Sequence, residues 1–439
     1  MRILVLDPGR AMLGVCMRFQ EAGHDVRLWS KAKAPGEKSC VGQGWIRLVE
    51  DWHIWVKWAD LIWVCDNVMY HDDLDKLFAK GYPIFGCNRE AAQLELNRSV
   101  GQEALKKCGV PIVPYEMFTN YDKAIEFVKD NKEVYASKPF GDGDKALSFV
   151  PDSRADLVFK LERWKEEAKL KDGFMLQKKV DGMSEMAVGG WFGKGGWSQW
   201  KCENWEHKKM MNDDLGVNVG EQGTVLRYVE ESELFKRTLE PCTALLKKLK
   251  YVGYVDMNCL IQKTGDIACL EWTMRDGQPL RHIQQALHTG DPADWMLDWV
   301  EGRDTLEVSE DIAVGAVLSH GDYPYGHLTQ KTNTGIPVRG ITDENQPHLS
   351  YVEMMLGIAP VEDARGKIVT DEVPVTCGDY VMIVTGTGPT VSSAAKNCYD
   401  VFWQIDYPSN KGGRTDIGKK LKKQIPKLNA VGLAQGMVY

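Results

Sequence analysis

Residues 254–279 read YVDMNCLIQKTGDIACLEWTMRDGQP. Two runs rich in apolar residues flank Lys263-Thr264-Gly265-Asp266, which predicts two antiparallel strands joined by a tight turn. Side chains alternate across a strand, so Asp256 and Asn258 share one face of the first, and Glu271 and Thr273 share one face of the second. With Thr264-Gly265 as a two-residue turn, Asp256 lies opposite Thr273 and Asn258 opposite Glu271. Val255, Met257, Leu270 and Trp272 fill the other face. Two carboxylates and two neutral oxygen groups then converge on one surface. Such a cluster on a buried hairpin is costly unless a cation occupies it. Oxygen ligands suit Mg²⁺, which commonly accompanies a nucleotide phosphate. The plainer alternative is a hairpin with one hydrated acidic face.

The chain has 439 residues, room for roughly two to four domains. Hydrophobic residues make up 44% and charged residues 26%, a balance that excludes a disordered chain. A formal net charge of −8 argues against a general nucleic-acid binder but permits a nucleotide held in a local basic pocket. The 11 cysteines contain no CxxC pair, which argues against metal fingers and against a secreted disulfide framework. The opening MRILVLDPGRAMLG reads as a strand and turn rather than a signal peptide. No apolar run approaches the roughly 18 residues of a membrane span. The expected location is cytoplasmic. Trp45, Trp52, Trp55, Trp58 and Trp63 are expected to pack helices.

Residues 2–6, 25–29, 61–65 and 83–85 read as strands, with a helix at 11–22. This alternation predicts a doubly wound α/β domain. Ligands bind at the carboxyl ends of such strands, where Gly9, Arg10 and the Cys65-Asp66-Asn67 loop fall. A helix over 90–108 stops at Gly109-Val110-Pro111. The strand 133–140 delivers Lys138 to a loop, Gly141-Asp142-Gly143-Asp144-Lys145, able to cradle phosphates through backbone amides and ammonium groups. It lacks the GxxxxGK[ST] spacing, which excludes a P-loop; a surface lysine is the bland alternative. A helix over 152–169 and a strand over 173–180 follow. The polar stretch 206–224, EHKKMMNDDLGVNVGEQGT, reads as a substrate loop rather than a disordered excursion. Beyond residue 312 the pattern is mostly β, closing with a helix at 392–405 and a basic tail.

In this order the elements resemble the phosphoribosylamine–glycine ligase (glycinamide ribonucleotide synthetase) family of ATP-grasp enzymes, over nearly the whole chain. The strongest block, 206–223, is similar to the family's DHKR…D.G.NTGG.G segment, with His207, Lys208, Asp214, Gly216, Asn218, Gly220 and Gly223 on matching positions. FGCNREAAQLELNRS at 85–99, GVPIVPYEMF at 109–118, GDYPYG at 321–326 and GRTDIG at 413–418 support it. The resemblance implies an N-terminal doubly wound preATP-grasp domain (1–108), an ATP-grasp small subdomain with a mobile lid (109–182), a catalytic subdomain (183–311) and a C-terminal α+β domain (312–439). For ATP it implies Arg98, Lys138 and Lys145 at the phosphates, Gln177, Lys179 and Val180 at the adenine, and Glu185 at the ribose. Glu271 matches a metal ligand. Thr273 stands where the family has asparagine, and Asp256 where other ATP-grasp enzymes keep a metal acid. Arg275 and Lys145 are the implied catalytic residues. Gly9, Arg10, Asp66, Lys208, Asp214, Asn218, Gly220 and Arg275 are the implied substrate contacts. The implied cofactors are ATP and Mg²⁺ (or Mn²⁺), and the implied partners are glycine and a small phosphorylated amine, in a monomer or homodimer that binds neither membrane nor nucleic acid.

The resemblance implies two steps: an amino-acid carboxylate becomes an acyl phosphate at the expense of ATP, and an amine then displaces phosphate. Departures gather where the amine belongs. The family's GGREHAL run appears as PGRAMLG, so Ala11 and Met12 replace Glu and His. Its GPE.PL loop becomes 65–69, its NTGGMG segment carries Val219, Glu221 and Gln222, and GDPE becomes 277–280. Glu221 places a negative charge beside a site expected to hold anions. Three readings follow: the family reaction on glycine and 5-phosphoribosylamine, a ligase acting on a different amine such as an unusual nucleotide or modified-base precursor, or a non-catalytic nucleotide-binding relative.

Overall fold

A computed structural model describes residues 1–32, 37–139, 148–167, 173–321, 323–325, 330–408 and 411–439, without the side chains of 330 and 331. Lys145 and the rest of the Gly141–Lys145 loop lie outside the described residues.

The N-terminal region is a five-stranded parallel sheet in the order Arg47–Leu48, Asp25–Ser30, Arg2–Asp7, Leu61–Val64, Ile84–Phe85. Arg2–Asp7 and Leu61–Val64 are apolar on both faces because helices and loops cover both sides. Their carboxyl ends place Asp7 and Asp66 side by side above the sheet. The single helix expected over 90–108 is two, Arg89–Leu96 and Arg98–Lys107. Asn97 leaves helical geometry (φ −114°, ψ 97°) and its side chain caps the second helix by accepting from Val100 N. The break sets Arg98 at a helix start, where it turns toward the hairpin.

Tyr115–Phe118, Phe174–Lys178 and Tyr135–Pro139 form a separate three-stranded antiparallel sheet. It packs its own core, including Tyr121, Val128, Leu157, Leu161 and Leu176, under helices Tyr121–Asp130 and Arg154–Glu166.

The centre of the molecule is an eight-stranded antiparallel sheet. Its order is Ile267–Thr273, Gly253–Ile261, Ser184–Gly193, Gly196–Glu206, Gly223–Val229, Ile312–Ser319, Tyr380–Gly388, Leu349–Tyr351. Val225 pairs with Val314, so the sheet runs on across position 311. Among the described residues no helix is long and apolar enough to cross a membrane.

The 254–279 hairpin forms in the expected register, with Asp256 opposite Thr273 and Asn258 opposite Glu271. The route differs. Gln262 and Asp266 close the loop, leaving Lys263, Thr264 and Gly265 at its tip, with Gly265 at φ +84°. The inner pairs, Cys259 with Cys269 and Ile261 with Ile267, are thus offset by one residue from the outer ones. Leu270 is the extra residue of a bulge that restores the register beneath Glu271.

Candidate active site

Strand alternation puts Glu185, Glu206, Asn258 and Glu271 on one face of neighbouring strands of the central sheet. Lys208 Nζ pairs with Glu185 and stands 3.3 Å from Glu206 Oε2 and 3.7 Å from Glu271 Oε1. Arg98 reaches the same carboxylate from its helix start, Nη1 donating to Glu271 Oε2 at 2.9 Å and Nε to the Pro139 carbonyl at 3.1 Å. Lys138, at the end of its strand, is close enough to feel Glu271, Arg98 and Lys208. Three acids and three cations therefore interlock here.

Their mutual fields set their protonation. Burial opposes the Glu271 charge, yet Arg98, Lys208 and Lys138 outweigh it and hold this carboxyl well below the usual range. Burial brings the Lys138 ammonium down to about 8, with Glu271 pulling upward and Arg98 and Lys208 pushing further down. Asp256 is different. It is 2% exposed, accepts from Asn204 Nδ2 at 3.1 Å and Tyr254 Oη at 3.2 Å, and is lifted to about 7 by burial and the nearby Glu206 charge. Gly189 opposite is obligatory for this arrangement, since a Cβ there would meet Tyr254 Oη at 2.1 Å and Asp256 Oδ1 at 2.6 Å.

The donor set suits a hard divalent cation. Asn258 Nδ2 donates to Glu206 Oε2 at 2.8 Å, but its Oδ1 is buried without a hydrogen-bond partner, and Asn204 Oδ1 is in the same condition. Acceptors lacking a donor, beside carboxylates, are what Mg²⁺ satisfies. Among the described residues, the one group of three His, Cys, Asp or Glu ligand atoms gathered within 4.8 Å is His24, Asp291 and Asp294. The hairpin acids thus form an open set, the form Mg²⁺ takes when phosphates complete its shell.

Beside this cluster lies a cavity of about 430 Å³. Glu271, Arg98, Arg275 and Gly220 line it together with Gly9 and Asp66 from the N-terminal sheet. Arg275 is fixed there by Glu95, at 3.2 Å, and donates to the Asp276 carbonyl at 3.1 Å. Other expected site residues lie elsewhere. Arg10 turns to Glu353 at 3.4 Å. Asp214 and Asn218 sit on the hairpin Lys209–Met211 and Leu215–Asn218, where Arg414 Nη1 donates to Asp214 Oδ1 at 2.7 Å. Lys179 Nζ donates to the Pro151 carbonyl at 2.7 Å, and Val180 follows the end of its strand. Gln177 is buried in that strand with its side-chain Nε2 unpartnered.

Sequence reading passed over Asp7, Glu95, Glu206, Tyr323 and Tyr380, all of which line the cavity or join the cluster. Asp7 carried a usable signal, an acid at the carboxyl end of a buried parallel strand. Glu95 gave none, because its partners Asn67, Met274 and Arg275 are remote in sequence.

No protein-family model matches the chain. Over 364 residues it is 24% identical to phosphoribosylamine–glycine ligase of Escherichia coli, covering 75% of this chain and 77% of that protein. The solved phosphoribosylamine–glycine ligase of Thermotoga maritima superposes with a TM-score of 0.70 at 19% identity, over 95% of this chain and 100% of that one. Over most of its length the chain is thus similar, at low identity, to phosphoribosylamine–glycine ligases. It is also 23% identical over 380 residues to a bifunctional purine biosynthetic protein of Pichia angusta, covering 82% of this chain but only 45% of that protein, so it spans less than half of that relative. N5-carboxyaminoimidazole ribonucleotide synthetase of T. maritima matches with a TM-score of 0.59 at 16% identity, over 93% and 99% of the two chains. A biotin carboxylase domain of Hydrogenobacter thermophilus, solved with MgADP, matches at 0.60 and 12%, over 94% and 91%. The fold is that of the ATP-grasp ligases.

Proposed function

We propose that the chain is an ATP-dependent ligase that joins an amino-acid carboxylate to an amine through an acyl phosphate. The observation that carries this is the convergence of Arg98, Lys138 and Lys208 on Glu271 at the side of a cavity reaching the carboxyl ends of the N-terminal strands. In this reading ATP lies between the 109–182 and 183–311 regions, and the acceptor amine lies against the 1–108 region. Arg98 and Lys138 take the polyphosphate, neutralising charge that spreads over the transferring phosphoryl group. Gln177, Lys179 and Val180 border the adenine and Glu185 the ribose. Mg²⁺, held by Glu271 with Asp256, Thr273 and the free Asn258 oxygen as further oxygen groups, supplies additional charge neutralisation. Arg275, locked by Glu95, positions the amino-acid carboxylate for attack on the γ-phosphate. The amine then attacks the acyl carbon and phosphate departs.

In one form of this reading the amino acid is glycine and the amine 5-phosphoribosylamine, giving glycinamide ribonucleotide in purine synthesis. The second form, a different amine, is favoured by the cavity, where carboxylates outnumber guanidinium groups among the described lining residues. The half-reaction tests the class without knowledge of the amine. ATP, Mg²⁺ and an amino acid with hydroxylamine should yield an amino-acid hydroxamate and ADP in equal amounts. Absence of hydroxamate with every amino acid, despite ATP binding, refutes the ligase.

A further inference from the structure

The cavity brings together Asp7, Asp66, Glu95, Glu221, Glu271 and Asp276. Its two guanidinium groups are already engaged, Arg98 with Glu271 at 2.9 Å and Arg275 with Glu95 at 3.2 Å. Asp276 has Arg281 Nε at 3.6 Å, though its Oδ1 accepts no hydrogen bond. Asp7, Asp66 and Glu221 form no ion pair with any described residue, and neither lysine nor histidine appears among the described lining residues. The turn from strand Arg2–Asp7 into helix Leu13–Glu21 is where an anion would ordinarily find free amides. Here Asp7 fills that position itself, accepting from Met12 N at 2.7 Å. Burial raises the Asp7 carboxyl to about 6, against the pull of Arg10, and Glu221 well above the carboxylate range, against Lys208 and Arg275, so no cation stands close enough to offset burial at either. Two aromatic rings complete the wall: Tyr323 and Tyr380 meet edge to face at 5.7 Å, and the Tyr380 hydroxyl is buried without a hydrogen-bond partner. Aromatic faces and uncompensated carboxylates both select cations.

We infer that the acceptor bound in this cavity is an unphosphorylated aliphatic amine that carries a second, protonated nitrogen. The inference rests on the ligase reading above and names its acceptor. A phosphate ester would bring its negative charge beside acids that form no ion pair and would further disfavour their ionisation, whereas an ammonium group supplies the charge that lets them ionise. The other nitrogen, not the protonated one, reacts as the neutral amine. Its lone pair forms the C–N bond to the acyl carbon, the C–O bond to phosphate breaks, and phosphate leaves with that electron pair and takes up the proton released by nitrogen.

The full-length protein is assayed for ADP release with ATP, Mg²⁺ and the amino acid that forms a hydroxamate. The acceptors are 1,4-diaminobutane, 1-aminobutane and 5-phosphoribosylamine. The expected result is kcat/KM at least tenfold higher for 1,4-diaminobutane than for either other amine. Asp66→Asn should raise KM for the diamine at least fivefold and leave KM for 1-aminobutane within twofold. Hydroxamate formation without this preference for the diamine overturns the inference and leaves the ligase standing. Failure to form hydroxamate removes the ligase and the inference together.

Discussion

Replacing Asp7 with asparagine should stabilise the N-terminal sheet at neutral pH and much less in acid. Asp7 is 1% exposed at the end of its strand, and its Oδ2 accepts from Met12 N at 2.7 Å. Burial lifts its carboxyl from 3.8 to about 6, against the pull of the Met12 and Ala11 amides. A raised value means the folded chain holds this proton where the unfolded chain has released it. The neutral carboxyl's contribution is therefore complete below pH 3.8 and is lost as pH rises through about 6. Above that point the ionised carboxylate costs about 3 kcal/mol, taking 1.36 kcal/mol for each factor of ten in proton affinity. Asparagine keeps an oxygen for the Met12 amide and cannot ionise. The variant should exceed the parent by about 1 kcal/mol at pH near 4.5 and about 3 kcal/mol above pH near 7. Hydrogen exchange of peptides covering 2–7 and 13–21, measured without divalent cation or amine, reads this local free energy. A gain of equal size at both pH values, or a loss at neutral pH, would refute the argument that charge burial dominates at Asp7.

Glu271→Gln should lower Mg²⁺-dependent ADP release on the order of 100-fold or more while the circular dichroism spectrum stays that of the parent; unchanged turnover removes Glu271 from the metal site. Because the Lys138 ammonium lies near 8, kcat/KM for ATP should fall tenfold per pH step above about 8 in the parent. Lys138→Arg, whose guanidinium stays charged, should hold a flat profile there, and parallel profiles would argue against Lys138 as the titrating group. Arg414 is 1% exposed and joins Asp214 at 2.7 Å to Asp416 at 2.8 Å. Arg414→Ala should cost about 2 kcal/mol, less than a fully buried pair because Asp214 is half exposed. Limited proteolysis within residues 209–218 should accelerate, and an unaltered cleavage rate would show that the hairpin is held by other contacts.

The local parts of the site were legible in the sequence. The parallel strands announce themselves as unbroken apolar runs, and the register of Asp256 with Thr273 and Asn258 with Glu271 follows from alternation alone. Even so, that register arose through compensation between a longer loop and a bulge at Leu270, which periodicity cannot reveal. The break at Asn97 left a faint signal, since Asn97, Ser99 and Gly101 are poor helix formers and Asn97 is a good N-cap, but the stretch on either side is strong helix sequence and reads as one run. Least legible was the charge balance. Lys208 meets Glu185, Glu206 and Glu271 from three separate strands, and Arg275 meets Glu95 across 180 positions. Such pairs have no sequence signature, since only the folded sheet brings them together.

That charge balance bears on how one site can serve both a stable fold and a nucleotide. Without ligand, Arg98, Lys138 and Lys208 screen Glu185, Glu206 and Glu271, so no buried charge is left alone. Breaking any one of these pairs without replacement is strongly unfavourable. Polyphosphate with a divalent cation changes partners rather than charge. In the proposed reading the phosphates would claim Arg98 and Lys138, the cation would claim Glu271, and each buried group would keep an opposite charge throughout. The acceptor cavity has no such self-sufficiency, because Asp7, Asp66 and Glu221 form no ion pair with a described residue and the more distant Arg10, Lys208 and Arg275 do not offset the burial of Asp7 and Glu221. In that reading the nucleotide side exchanges ion-pair partners on binding, whereas the acceptor side, whose Asp7, Asp66 and Glu221 form no ion pair with a described residue, would take its positive charge from the amine.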